Sequence, residues 1–104
     1  MDRTIKNIVC SIAKGLDASI VPDDWTGISS VMHLLERMRQ EGAIVIIKLD
    51  GERTSKNDNG PYSFVVTSGP LGNGSIRIDS ESIDVGLAYI ISEYNKRVWR
   101  LLQN

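Results

Sequence analysis

The spacing of apolar residues changes twice along this chain, and these changes limit the folds open to it. Apolar side chains recur every three or four positions over residues 5–16 and 28–38, which predicts two amphipathic helices. After Gly42, which is expected to stop the second helix, residues 43–50 read AIVIIKLD. This run is short and β-branched, so it favours a strand. Helical spacing returns from residue 83.

Small and polar residues mark the expected ends of the helices. Gly15 is predicted to end the first helix in the left-handed conformation, and Thr26 is a possible N-cap of the second. The third helix is predicted over residues 83–102, with roughly six turns of continuous apolar stripe. Ser80 or Ser82 can cap its start.

Three strand patterns lie between the second and third helices. Residues 43–50 are followed by YSFVVTS at 62–68 and by SIRID at 75–79, and GPLGNG at 69–74 is dense in turn residues. These patterns predict a three-stranded antiparallel meander. The whole chain, residues 1–104, is therefore expected to form one α+β domain of two layers, with the order α-α-β-β-β-α.

One face of the predicted sheet is more apolar than the other and is expected to pack against the helices. Its residues are Val45, Ile47, Leu49, Phe64, Val66, Ile76 and Ile78. The opposite face is mixed and is either solvated or a partner surface. Gly86 is expected to mark a close approach of the third helix to the sheet.

The composition of the chain excludes some classes of function. The 104 residues carry 12 basic and 13 acidic side chains, so no global field attracts the chain to phosphate backbones or anionic lipid. Cys10 is the single cysteine, which fits core packing and a reducing compartment. The N-terminus does not resemble a secretory signal, and no run is long enough to span a membrane. A cytoplasmic location is therefore expected.

The sequence contains no motif for catalysis or cofactor binding. Its single histidine, His33, has no local nucleophile partner, and GPLGNGS is followed by a strand rather than by the helix N-terminus that binds phosphate. We therefore expect no enzyme activity, no cofactor and no metal site. The long polar loop at residues 51–60 is either functional or a tolerated insertion.

The segment VPDDW, residues 21–25, places a tryptophan beside two acids. Trp25 is expected to fold back over the core, with Asp23 or Asp24 capping the second helix. The functional alternative is an interface, because Asp17, Asp23 and Asp24 occur where no lysine or arginine lies between positions 14 and 37. An acidic rim around an aromatic anchor would suit a cationic protein partner.

A second acidic concentration lies between the third strand and the third helix. It contains Asp79, Glu81 and Asp84. If both concentrations fall on one side, the molecule presents an anionic face. The predicted partner-binding residues are therefore Asp17, Asp23, Asp24, Trp25, Asp79, Glu81 and Asp84.

In its layout the chain resembles the small immunity proteins that bacteria encode beside contact-delivered toxins. The resemblance is carried by the acids around VPDDW, the stretch IDSESID, the strands IVIIKLDGER, PYSFVVTSG and SIRID, and the helix IDVGLAYIISEYNKRVW. It implies an inhibitor that binds a cognate toxin, often a nuclease, and blocks its active site or substrate surface. Negative charge on the inhibitor would speed its association with a positive nuclease surface.

Two other functions stay open. A nucleic-acid-binding or regulatory module could use the mixed sheet face and the basic residues at the helix ends, although these basic residues belong to no recognised motif and acids lie near each group. The chain could also be a subunit of a larger assembly, with its terminal helix or outer sheet face forming a homodimer.

Overall fold

The computed structural model describes residues 3–53 and 59–101. Its helices and strands follow the predicted order α-α-β-β-β-α, so the α+β class is confirmed. The elements are α1 (Arg3–Gly15), α2 (Ile28–Gln40), β1 (Ile44–Leu49), β2 (Tyr62–Thr67), β3 (Ser75–Ser80) and α3 (Ile83–Tyr94). The middle of the predicted 51–60 loop and the predicted helical end at Leu102 lie outside the described residues.

The three strands form the antiparallel meander that their spacing predicts. Their order in the sheet is β1-β2-β3. Val45 lies opposite Val66, and Val66 lies opposite Ile76 on its other side, so one apolar row crosses the whole sheet. A short 3-10 turn over Gly69–Leu71 joins β2 to β3.

The helices and the inner face of the sheet enclose the core. α3 packs on β2 and β3, α2 packs on β1 and α3, and α1 packs on α3. The fully buried side chains come from all three helices, from β2 and β3, and from the α1–α2 connection; the largest are Trp25, Tyr94, Phe64, Ile12, Leu34 and Met38. Of the predicted inner-face residues, six are buried or half-buried. Leu49 is instead 61% exposed, at the end of β1.

The predicted end of α1 is confirmed in position, but two of the predicted capping residues are wrong. α1 does end at Gly15, but the residue with the left-handed backbone is Asp17 (φ 56°). The N-cap of α2 is Gly27 rather than Thr26, Asp23 or Asp24, and no side chain of its own segment caps it. The prediction for α3 is confirmed, because the Ser82 hydroxyl accepts the Val85 N–H.

The third helix is shorter than its apolar stripe predicts. Regular α-helix ends at Tyr94, and Asn95–Trp99 form a single π-helical turn. The buried Asn95 holds the exit of this turn, since its side-chain amide donates to the Leu101 carbonyl and accepts the Leu101 N–H. Arg100 has the left-handed conformation that ends the turn.

Glu41 links the C-terminal ends of α2 and α3. Its carboxylate accepts hydrogen bonds from the Tyr94 hydroxyl (2.7 Å) and from the Trp99 indole N–H (3.0 Å), and it lies 3.5 Å from Arg37 Nε. The two aromatic rings meet edge to face, with centroids 4.8 Å apart. Burial and the bond to Glu41 raise the pKa of Tyr94 well above its ordinary value. Its hydroxyl therefore stays protonated and keeps donating.

Gly86 is required by the contact between α3 and β2. A Cβ atom at this position would lie 1.9 Å from Cε1 of Phe64, far inside van der Waals contact. The predicted close approach of the helix to the sheet is confirmed.

We expect Gly86→Ala to lower the free energy of unfolding by about 1 to 3 kcal/mol, because overpacking outweighs the gain of about 1 kcal/mol in helix propensity. Urea denaturation measures the change. Gly51→Ala is the matched control, since a Cβ there meets nothing within 4 Å and should change stability by less than about 0.5 kcal/mol. A Gly86→Ala protein as stable as the wild type would contradict this packing.

Candidate functional site

The α1–α2 connection, residues 16–27, is held to the domain by two buried side chains. Val21 and Trp25 are buried, and Trp25 is only 2% exposed. Its indole N–H donates to the Lys6 carbonyl on α1 at 3.3 Å. The interpretation of Trp25 as a core residue is confirmed, so this ring is not an exposed anchor for a partner.

Lys6 joins the connection to α1 and α3. Its ammonium donates to the Trp25 carbonyl, lies 3.2 Å from Asp84 Oδ2, and stands 5.2 Å from the centroid of the Trp25 ring. The Lys6 and Asp84 side chains are each 17% exposed. A mostly buried ion pair of this kind persists because hydrogen bonds satisfy its remaining polar atoms.

The sequence analysis predicted that Asp23 or Asp24 would cap α2, but the acid at the start of α2 is Asp84. Its Oδ1 accepts the N–H of Gly27, the N-cap of α2, at 2.8 Å. Burial alone would raise the pKa of Asp84, but hydrogen bonds from Gly27, Thr26 and Lys6 outweigh it and hold this pKa below the ordinary value. A side chain from the first turn of α3 therefore satisfies the start of α2.

Two contacts with α2 hold the first half of the connection. Arg37 donates to the Leu16 carbonyl at 3.3 Å, and His33 Nε2 lies 3.0 Å from the Ser19 carbonyl. A carbonyl only accepts, so this His33 nitrogen carries a proton. The connection is thus fixed at both ends, and most of the residues between these contacts, apart from the buried Val21, are exposed.

The exposed part of the connection is acidic and contains one large apolar side chain. Asp17, Asp23 and Asp24 are exposed and form no ion pair with another described residue. Ile20 lies between them in sequence and is 83% exposed. We call Asp17, Ile20, Asp23 and Asp24 the acidic patch. The sequence did not single out Ile20. Ile20 and Val21 are adjacent and both apolar, and the sequence does not show that Val21 is the buried one.

The second predicted acidic group does not join this patch as a unit. Asp84 contacts Gly27 and so reaches the connection, whereas Asp79 lies on the outer face of the sheet, in line with Lys48 and Ser63. Glu81 is exposed and forms no ion pair with another described residue.

Asp79 is the centre of a polar cluster on the outer sheet face. It accepts a 2.7 Å hydrogen bond from the buried Ser63 hydroxyl and lies within 3.4 Å of Arg53 and Arg77. The bond from Ser63 and the contact with Arg53 hold the pKa of Asp79 below its ordinary value. Two arginines compensate its charge, so Asp79 contributes little to an anionic surface.

Cys10 lies close to the patch but has a packing role. Its thiol donates to the Lys6 carbonyl at 3.2 Å. Burial, with the nearby charge of Asp23, raises the pKa of the Cys10 thiol above its ordinary value, so the thiol stays protonated at neutral pH. Over residues 3–53 and 59–101, no group of three or more His, Cys, Asp or Glu side chains is placed to hold a metal ion.

Comparisons with protein-family models, with curated proteins and with solved structures found no match. In the described part of the chain, no helix has the length and apolar character needed to cross a membrane.

We expect Asp84→Asn to lower the free energy of unfolding by about 1 to 3 kcal/mol at neutral pH, because it leaves the mostly buried Lys6 ammonium without its counter-charge. The folded-state pKa of Asp84 lies below the ordinary 3.8, so its stabilising effect is present above about pH 4 and is lost as the pH falls through the folded value. The difference between wild type and variant should shrink below pH 4 in urea titrations.

Asp24→Asn is the control for this variant, because Asp24 is exposed and forms no ion pair with another described residue. Its stability should match the wild type within about 0.5 kcal/mol. Equal losses in the two variants would mean that the Lys6–Asp84 pair does not hold the connection.

Proposed function

We propose that this protein acts by binding another protein through the acidic patch on the α1–α2 connection. The observation that carries the proposal is the position of Ile20, which is 83% exposed between acids that no described cation neutralises. An exposed apolar side chain with exposed acids on either side in sequence can act as an interface hot spot, in which the apolar group is desolvated and the charges form a rim. The partner is therefore basic.

The charge distribution explains why a near-neutral chain can attract a basic partner. Several of its acids are compensated locally: Glu36 by Arg39, Asp50 by Lys48, Asp79 by Arg53 and Arg77, and Glu93 by Lys96 and Arg97. The patch keeps its charge, and complementary charge raises association rates. The net charge of −1 is too small to attract a basic partner to the whole molecule. The unpaired acids of the acidic patch would attract it locally.

We further propose that the partner is a toxin, for example a nuclease with a basic active-site surface, and that binding neutralises it in the bacterial cytoplasm. This step rests on the resemblance of the chain's layout to that of small immunity proteins. The protein then has no catalytic task of its own. It would work by covering a basic surface that the toxin needs for its substrate.

The alternative of a nucleic-acid-binding module is less well supported. Such a module needs a cluster of uncompensated cations. Arg37, Arg39, Arg53, Lys96 and Arg97 each lie within 4 Å of a carboxylate oxygen. These cations are engaged within the domain.

The proposal predicts that Asp23→Lys together with Asp24→Lys slows association with the partner by about tenfold or more, because it reverses the field that guides the encounter. Affinity capture from the native host, followed by mass spectrometry, identifies the basic protein that the wild type retains. Association rates are then measured with that purified protein. Ile20→Ser should instead speed dissociation, since it removes the apolar anchor.

Glu52→Lys is the control, because Glu52 is an exposed acid outside the connection. It should change the association rate by less than about threefold. Melting temperatures of all variants should stay close to the wild type. If no basic protein is captured, or if Glu52→Lys slows association as much as the double variant, the acidic patch is not the binding site. Toxin neutralisation is tested by whether co-expression restores growth to cells that produce the captured protein.

A further inference from the structure

Strand β1 has a free edge among the described residues. It pairs with β2 on one side, and none of residues 3–53 and 59–101 pairs with it as a strand on the other. The Asp50 N–H donates to the Pro61 carbonyl, which continues the β1–β2 ladder by one step. The N–H and C=O groups of successive residues in a strand point to opposite sides. Residues 44, 46 and 48 therefore direct these groups toward β2, as Asp50 does. The backbone groups of Val45, Ile47 and Leu49 therefore point to the open edge.

The exposed apolar side chains of the molecule concentrate at this edge. Five large apolar side chains are exposed in the described part of the chain, and four of them flank β1: Met32, Ile44, Ile46 and Leu49, each half exposed or more. Natural edge strands are usually protected by proline, by bulges or by several charges. Apart from Lys48, β1 has none of these between Ile44 and Leu49.

An open groove of about 310 Å³ runs between α2 and β1 on the inner side of the edge. Its lining is mostly apolar and includes Met32, Leu35, Val45 and Ile47, together with the ion-paired Glu36 and Arg39. Side chains of a strand added at the β1 edge can enter this groove. The edge therefore offers both backbone hydrogen-bonding groups and an apolar groove.

We propose that this edge binds a second copy of the same chain, with the two β1 strands antiparallel about a two-fold axis at Ile47. Val45 then lies opposite Leu49 of the partner subunit and exchanges backbone hydrogen bonds with it. The two sheets join into one continuous sheet. The inference does not depend on the proposed function and concerns a different surface.

The chain's own residues select this register. A shift by two residues in one direction places Lys48 opposite Lys48 of the partner subunit, and like charges directly opposite each other are destabilising. A shift by two in the other direction pairs Leu49 with Ala43 of the partner subunit, whose N–H already donates to the Met38 carbonyl. The Ile47-centred register avoids both faults.

The same register covers the exposed apolar side chains reciprocally. Leu49 of the partner subunit stands beside Val45, at the groove that Met32 lines. On the outer face, Lys48 of the partner subunit lies opposite Ile46 and can cover it with its aliphatic stem. A second copy of β1 supplies apolar side chains on the groove side and the Lys48 stem on the outer side without any further requirement.

The test combines sedimentation equilibrium with amide hydrogen exchange by NMR, both over a range of protein concentrations. We expect the average mass to rise from monomer to dimer. The amides of Val45, Ile47 and Leu49 should become protected as it rises, whereas those of Ile46 and Lys48 should be protected at every concentration. Leu49→Lys, at an exposed position, should weaken the dimer at least tenfold, and Ile20→Lys, at the exposed apolar site away from β1, should not.

A protein that stays monomeric up to millimolar concentration would overturn the proposal. A dimer in which the three edge amides gain no protection would do the same, because another surface would then form it. Equal effects of Leu49→Lys and Ile20→Lys would also contradict it. Captured partner protein that protects these amides in a monomer would show that the edge serves a foreign strand instead.

Discussion

The contact of Lys6 with Trp25 and Asp84 attaches the α1–α2 connection to two helices of the domain. It joins α1, the α1–α2 connection and the first turn of α3 within a few ångströms. Truncating a buried tryptophan typically costs about 3 to 5 kcal/mol, which is a large share of the stability of a small domain. Because Trp25 and Gly27 are both held at this point, the connection has a defined path and α2 has a defined start.

The same contact shows that the acids of this region differ in role: some stabilise the fold, and others form no ion pair among the described residues. Asp84 is used inside the domain, where it satisfies the Gly27 N–H and the Lys6 ammonium. Asp23 and Asp24 are therefore not needed as helix caps and lie exposed beside the fixed tryptophan. If the connection binds a partner as proposed, its attached backbone would lose little conformational freedom on binding. Preorganisation of this kind favours affinity.

The sequence predicted those features that depend on local pattern. Element order, the meander, the Ser82 cap and the close approach at Gly86 all follow from spacing or from single residue types. The cap of α2 could not be predicted, because its acceptor lies 57 positions away in sequence. For the same reason the ion pair of Asp79 with Arg53 was not expected, since the two residues are 26 positions apart in sequence.

The structure decides between the two interpretations of Trp25 that the sequence left open. An aromatic residue beside two acids is a typical interface pattern, but Trp25 is buried by α1 and the exposed apolar residue is Ile20. Apolar character alone does not distinguish Ile20 from Val21; the direction of each side chain depends on where the connection is attached. Those attachments are the non-local contacts of Lys6, His33 and Arg37.

The central claim is that the Lys6–Asp84 pair positions the connection, and a double-mutant cycle tests it directly. Lys6→Met, Asp84→Asn and the combined variant are compared with the wild type by urea denaturation at neutral pH. The account predicts a coupling energy of about 1 kcal/mol or more, because each single change leaves a mostly buried charge unpaired and the combined change does not. Strictly additive losses would contradict it.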